Sequence, residues 1–192
     1  MRAVIPHEVE VQPLTAERWP DLEQLFTRCG WSSGCWCMTW RVPRSQFTRQ
    51  GREGNKHAMR ALVDAGEVPG LLAYIVGHAV GWCAVGPREA FPVLGRSPVL
   101  KPVDDAAVWS VVCFVIASAF RRQGLSAVML RAALEYAQAH GARIVEGYPV
   151  DRPAHLPAVI TPTGAASTFR AAGFREALRR TPDRPIMRYT IE

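Results

Sequence analysis

The stretch from Ala107 to Met129 limits the folds open to this chain more than any other. Ala107 to Ile116 is a near-continuous apolar run without alternation, the pattern of a strand buried on both faces in the middle of a sheet. A turn containing Arg121, Arg122, Gln123 and Gly124 follows it. Gly124 to His140 then reads as an amphipathic helix, with Leu125, Val128, Met129, Ala132, Ala133 and Tyr136 at helical spacing and Gly141 as its stop. The first amides of a helix have no internal partners and sit at its positive end. Such a turn can hold a phosphate on backbone N–H groups. Gly124 lets a ligand approach the backbone closely, and Arg121 and Arg122 add charge and donors. An ordinary strand–helix turn with two exposed arginines fits the same residues.

The rest of the chain supplies alternating helices and strands around this unit. His7 to Leu14 alternates as a strand, and Thr15 is placed to cap a helix from about Ala16 to Arg28. Gly30 to Gln50 reads as a loop rich in Trp, Cys and Arg, followed by a helix from about Asn55 to Ala65. Leu71 to Val76 and Ala79 to Val85 form a hairpin pattern around Gly77-His78. Gly86 to Lys101 is a proline-rich loop. Ala142 to Tyr148 is a strand, Ala165 to Ala172 a short helix, and Phe174 to Arg180 with Ile186 to Ile191 a final strand pair. This order implies a mixed α/β chain with one central sheet.

Composition removes several alternatives. The 192 residues suit one domain, and 48% apolar with 21% charged residues excludes a disordered chain. No apolar run approaches the roughly 18 residues of a membrane span. Met1 to Glu10 carries His7, Glu8 and Glu10 and does not read as a signal peptide, so a cytoplasmic location without membrane association is expected. The net charge of +6 comes almost entirely from arginine, which suits a phosphate-bearing partner but equally a solvated surface. Five cysteines, Cys29, Cys35, Cys37, Cys83 and Cys113, are an odd set for a disulfide framework. Cys29, Cys35 and Cys37 cluster without a regular zinc-ligand spacing, so no metal is expected.

The segment Arg121-x-x-Gly124-x-Ser126 resembles the (Q/R)-x-x-G-x-(G/A) signature of the GNAT superfamily of acyl-CoA-dependent N-acetyltransferases. Thr168-Phe169-Arg170-Ala171-Ala172-Gly173-Phe174 resembles that family's helix-to-strand "FY-x-x-x-GF" segment, and the element order is similar along nearly the whole chain. The resemblance implies a GNAT fold over residues 1–192 as one domain, a mixed sheet whose splayed central strands form an acyl-CoA cleft. It implies that the backbone of Phe114, Val115 and Ile116 pairs with pantetheine. The amides of Arg122, Gln123, Gly124, Leu125 and Ser126 would cradle the pyrophosphate, with Arg121 or Arg122 near the outer phosphates and Phe169 beside the cofactor. Acetyl-CoA is then the cosubstrate, and a backbone N–H of the Ala107–Ile116 strand would polarise the thioester carbonyl.

The chain departs from the family pattern where acid–base groups are expected. Phe169 replaces a tyrosine that would protonate the thiolate, and Ser110 stands where a glutamate base would be. The leaving thiol, with a pKa near the ~8.5 of a cysteine side chain, departs largely unaided, whereas an amine at about 8 to 10 must first lose a proton. Candidates for that proton are Asp151 and Tyr148, with Glu146 and His155 beside them; each also reads as a structural residue. Trp31, Trp36 and Trp40 either shape an acceptor pocket or cover the sheet. The expected activity is acetyl transfer to a primary amine, of a small molecule, by direct attack. An acyl-CoA-binding protein without turnover and a basic nucleic-acid-binding module are the alternatives, and a homodimer is left open.

Overall fold

Seven strands form one sheet in the order β1-β2-β3-β4-β5-β7-β6 in a computed structural model that describes residues 8–30, 32–151 and 161–192. The strands are β1 Glu10–Pro13, β2 Leu71–Ile75, β3 His78–Pro87, β4 Trp109–Ile116, β5 Ile144–Gly147, β6 Arg175–Arg179 and β7 Pro185–Thr190. All neighbours are antiparallel except β4 and β5, which run parallel. Among the described residues six α-helices flank the sheet: α1 Trp19–Arg28, α2 Ser32–Cys35, α3 Arg44–Asp64, α4 Pro92–Arg96, α5 Leu125–Ala139 and α6 Ala166–Ala171.

The central position of β4 explains its apolar sequence. Val111, Val112, Cys113, Phe114 and Val115 are all buried, and they serve two cores. Val112, Cys113 and Val115 join Trp19, Leu22, Phe26, Trp36 and Met59 under α1 and α3. Val111 and Phe114 join Leu125, Met129, Leu130, Ala133 and Phe169 under α5 and α6. A strand covered on both faces has no solvent side and therefore needs no polar alternation.

Four local expectations change. The β2–β3 turn falls at Val76-Gly77, one residue earlier than Gly77-His78; Ile75 pairs with His78, and both turn residues have positive φ (49° and 72°). Such a turn matches the twist of the strands it joins. The Gly30–Gln50 loop contains α2 and the first turns of α3, whose helical backbone is broken at Gly51 (φ 58°, ψ −165°) into two segments. The proline-rich loop holds the short α4. Thr15 makes no side-chain cap and instead donates to Glu17 Oε2 at 3.4 Å.

Candidate functional site

The ladder between β4 and β5 is short. It comprises Trp109–Val145, Ser110–Glu146 and Val111–Gly147, and ends there although β4 continues to Ile116. Beyond Gly147 the two strands part. Phe169 is fully buried at this point: an added Cβ on Gly147 would lie 2.0 Å from Phe169 Cε1. The ring also stands edge-on to Phe114 (centroids 6.2 Å apart) and to Phe174 (5.0 Å).

Along the parted stretch, Phe114 donates its N–H to Pro162 O at 2.6 Å, away from β3. Ile116 O accepts from Arg121 Nε at 2.9 Å, on the same side. Strand alternation turns Val115, between them, toward β3. The end of β4 leads through a 3-10 turn, Ser118–Phe120, into the 121–126 turn. Arg122 (φ 59°) and Gly124 (φ 84°) are left-handed, and Gly124 is the N-cap of α5. No atom lies within 4 Å of a Cβ built on Gly124, so its face is open. Ala127 N–H closes onto Gly124 O at 2.9 Å. The Leu125 and Ser126 amides, as the first two of the helix, have no carbonyl partner inside it.

On the α1 side of the parted strands lies a cavity of about 480 Å³. Cys35, Cys37, Thr39 and Trp40 form one wall, Cys113 and Val150 another, and Thr161, Pro162, Thr163 and Arg184 the third. The volume suits a small molecule. The three thiols interact: hydrogen bonding with its neighbour Cys37 and burial push the Cys35 thiol up, and hydrogen bonding to Cys113 pushes Cys37 up. Cys37 Sγ also accepts from Trp82 Nε1 at 3.0 Å. Cys35 and Cys37 therefore stay protonated and are poor nucleophiles. Among the described residues no group of three or more His, Cys, Asp or Glu side chains is placed to hold a metal ion.

The tryptophans of the α1–α3 connection divide between both readings. Trp36 is buried, stacked on Trp19 (5.6 Å) and tilted against Phe26 (5.2 Å), and so covers the sheet. Trp40 lines the cavity. Trp31 lies outside the described residues, as does His155.

Of the proton-handling candidates among the described residues, Tyr148, Glu146 and Asp151 do not line this cavity. Tyr148 is fully buried. Its hydroxyl donates to Glu146 Oε2 (2.7 Å) and accepts from Arg88 Nη1 (2.6 Å) and Ser110 Oγ (2.8 Å). Burial, then the Glu146 charge, pushes its pKa up. Glu146 is bound in turn by Arg88 Nη1 at 2.7 Å and Arg188 Nε at 2.8 Å, and Arg188 grips Asp104. A buried carboxylate is stable only with such partners. Asp151 accepts from Arg170 Nη2 (2.6 Å) and Arg179 Nη2 (2.7 Å), which hold its carboxyl below the usual range and make it a weaker base. Sequence reasoning missed Arg88, Arg188 and Arg184. The apolar strand around Arg188 and the loop before Pro185 carry no local signal for them.

A larger groove of about 870 Å³ lies along the far end of α5 beside α6, β6 and β7. Arg131, Glu135, Arg175 and Glu176 give it an ordinary charged surface.

A mixed sheet whose central parallel pair parts beside a glycine-capped helix start is what the acyl-CoA resemblance implied. The family profile for the acetyltransferase (GNAT) family matches residues 20–158. The chain belongs to this family. It is similar in fold to the PaiA N-acetyltransferase of Thermoplasma acidophilum in complex with coenzyme A, at 12% identity and TM-score 0.55 over 95% of this chain and 99% of that one. It is similar to an agmatine N-acetyltransferase at 10% identity and TM-score 0.57 (95% and 100%). It is also similar to arylalkylamine N-acetyltransferase 2 from Aedes aegypti, at 11% identity and TM-score 0.58 (96% and 99%). No curated protein sequence matches significantly. At these identities the GNAT structures share the fold and leave the acceptor open. No helix among the described residues is long and apolar enough to cross a membrane.

Proposed function

We propose that residues 1–192 form one N-acetyltransferase domain that moves an acetyl group from acetyl-CoA to a primary amine of a small molecule, by direct attack in a ternary complex. The observation that carries this reading is the end of the β4–β5 ladder at Val111–Gly147, with an open helix start on one side and a small-molecule cavity on the other.

The residues present fit acetyl-CoA, whose thioester supplies the activated acetyl group. The amides of Arg122 to Ser126 belong to the turn around Gly124, whose face is open, and suit a pyrophosphate. Arg122 adds charge there; Arg121 is committed through Nε to Ile116 O and keeps its outer nitrogens for phosphate. Phe114 and Ile116 turn their backbone to the cleft and suit a pantetheine arm, while Val115 faces β3. Pairing at Phe114 requires Pro162 O to release that amide. The freed Phe114 N–H is then the donor aimed where the thioester oxygen gains charge.

Phe169 supports the cleft from beneath, without a polar atom. We assign Tyr148 and Asp151 to holding the β5 end in place, because their polar atoms are already engaged. Among the described residues no carboxylate or imidazole lines the cavity. We therefore give the amine proton to water at the cavity mouth. The test is twofold: calorimetry with acetyl-CoA, and thiol release with a panel of amines. Binding with steady thiol release supports the enzyme. Binding without release for any amine leaves an acyl-CoA-binding protein, and no binding overturns the reading.

A further inference from the structure

Among the described residues the cavity's one charged lining group is Arg184, on the loop between β6 and β7. Its guanidinium is half-buried, and its hydrogen bond in the structure runs from Nη1 to Thr163 Oγ1 at 3.2 Å. No carboxylate lies within 4.0 Å among the described residues, and residues 1–7, 31 and 152–160 contain no Asp or Glu. Other arginines around the sheet have more partners: Arg41 and Arg180 each donate to two or more backbone carbonyls. Arg88, Arg170, Arg179 and Arg188 each grip an acid. Burial lowers the pKa of Arg184, with only its neighbour Asp183 opposing from a distance. A desolvated guanidinium aimed into an apolar cavity is costly unless an anion meets it.

We propose that Arg184 is the specificity residue of the acceptor cavity, binding the carboxylate of the amine substrate, and that the acceptor is a small apolar amino acid. This inference rests on the acetyltransferase reading and refines its acceptor. The guanidinium presents donors suited to a carboxylate in a bidentate pair. Trp40, Val150 and Pro162 offer the apolar surface that an aliphatic or thioether side chain would cover. About 480 Å³ is ample for one amino acid and cramped for a long peptide. A polycationic amine would meet Arg184 with no acid to balance it, so such amines are rejected.

The experiment uses the intact wild-type chain. Leucine and methionine are compared with leucinamide, methioninamide and agmatine by thiol release, with acetyl-CoA binding measured in parallel. The expected result is a kcat/KM for the free acids at least about tenfold above that for their amides and for agmatine, the scale of losing one buried charged contact. Arg184→Met is expected to lower kcat/KM for leucine by at least about tenfold, mainly through KM, with acetyl-CoA affinity unchanged. Arg184→Lys is expected to recover part of the loss. Wild-type amides reacting as well as acids overturn the proposal even if the variant misfolds. Turnover of none of the five with acetyl-CoA bound also overturns it. Loss of acetyl-CoA affinity in a folded Arg184→Met variant overturns it too, by placing Arg184 on the cofactor. No acetyl-CoA binding by the wild type overturns the acetyltransferase reading and this inference with it.

Discussion

Gly147 and Phe169 provide a test of how the β4–β5 gap is built. A Cβ at position 147 would meet Phe169 Cε1 at 2.0 Å and Cδ1 and Cζ at 2.7 Å. Carbon contacts sit near ~3.5 to 4.0 Å, so the ring must move by more than an ångström, or β5 must. Overpacking of that kind costs about 1–3 kcal/mol, occasionally more. Removing the ring alone, as Phe169→Ala, costs about 3–5 kcal/mol because the residue is fully buried in the core under α5 and α6. If the two act on the same space, the double variant places its new methyl group in the vacated volume. Urea unfolding followed by tryptophan fluorescence should then give a double variant that is at least about 1 kcal/mol more stable than the sum of the singles predicts. Additivity within about 0.5 kcal/mol would refute the steric reading of the gap.

Other outcomes follow from separate parts of the structure. Val76 is exposed and left-handed (φ 49°) ahead of Gly77, so Val76→Asn should raise stability by about 0.5–1 kcal/mol in the same urea assay; no gain would argue against the turn type. Tyr148→Phe strips a partner from Ser110, Arg88 and Glu146 and should cost about 1–3 kcal/mol, while kcat changes by less than about threefold; a hundredfold fall in kcat at unchanged stability would restore Tyr148 to the chemistry. The carboxyls of Asp151 and Asp104 are held low in the fold, Asp104 at about 2 by Arg188 and Asp151 by Arg170 and Arg179. Their contribution is thus present above the unfolded value near ~3.9 and lost as pH falls through the lower folded values, so unfolding midpoints should be level down to about pH 5 and decline toward pH 2. Asp104→Asn with Asp151→Asn should flatten that decline, and an unchanged acid slope would contradict it.

What the sequence reveals and hides follows from range. β4 and α5 are legible because burial on two faces and a 3.6-residue period are written in consecutive residues. The start of α3 is hidden because Arg44 to Gln50 offers one apolar contact, Phe47, and Gly51 breaks the helical φ/ψ within it. The Val76-Gly77 turn is displaced by one residue because a β-branched side chain rarely enters the left-handed region, so glycine and histidine look the better pair. Gly124 is legible in the candidate site because its φ and its open face are local needs. The Arg88–Glu146–Arg188 network joins residues 58 and 42 positions apart, and no local pattern encodes it. Arg184 is hidden for the same reason: only the folded sheet carries its loop to Cys113 and Trp40.

The central claim is that acetyl-CoA seats its pyrophosphate on the start of α5, and titration calorimetry on Gly124→Glu tests it most directly. Gly124→Ala is the companion, since it carries the same left-handed strain without the charge, and circular dichroism establishes that both fold. Wild-type protein should bind one acetyl-CoA per chain. The alanine variant should bind nearly as well, and the glutamate variant at least about thirtyfold more weakly, the ~2 kcal/mol of a like-charge clash. A folded Gly124→Glu protein that binds acetyl-CoA with wild-type affinity would contradict the claim.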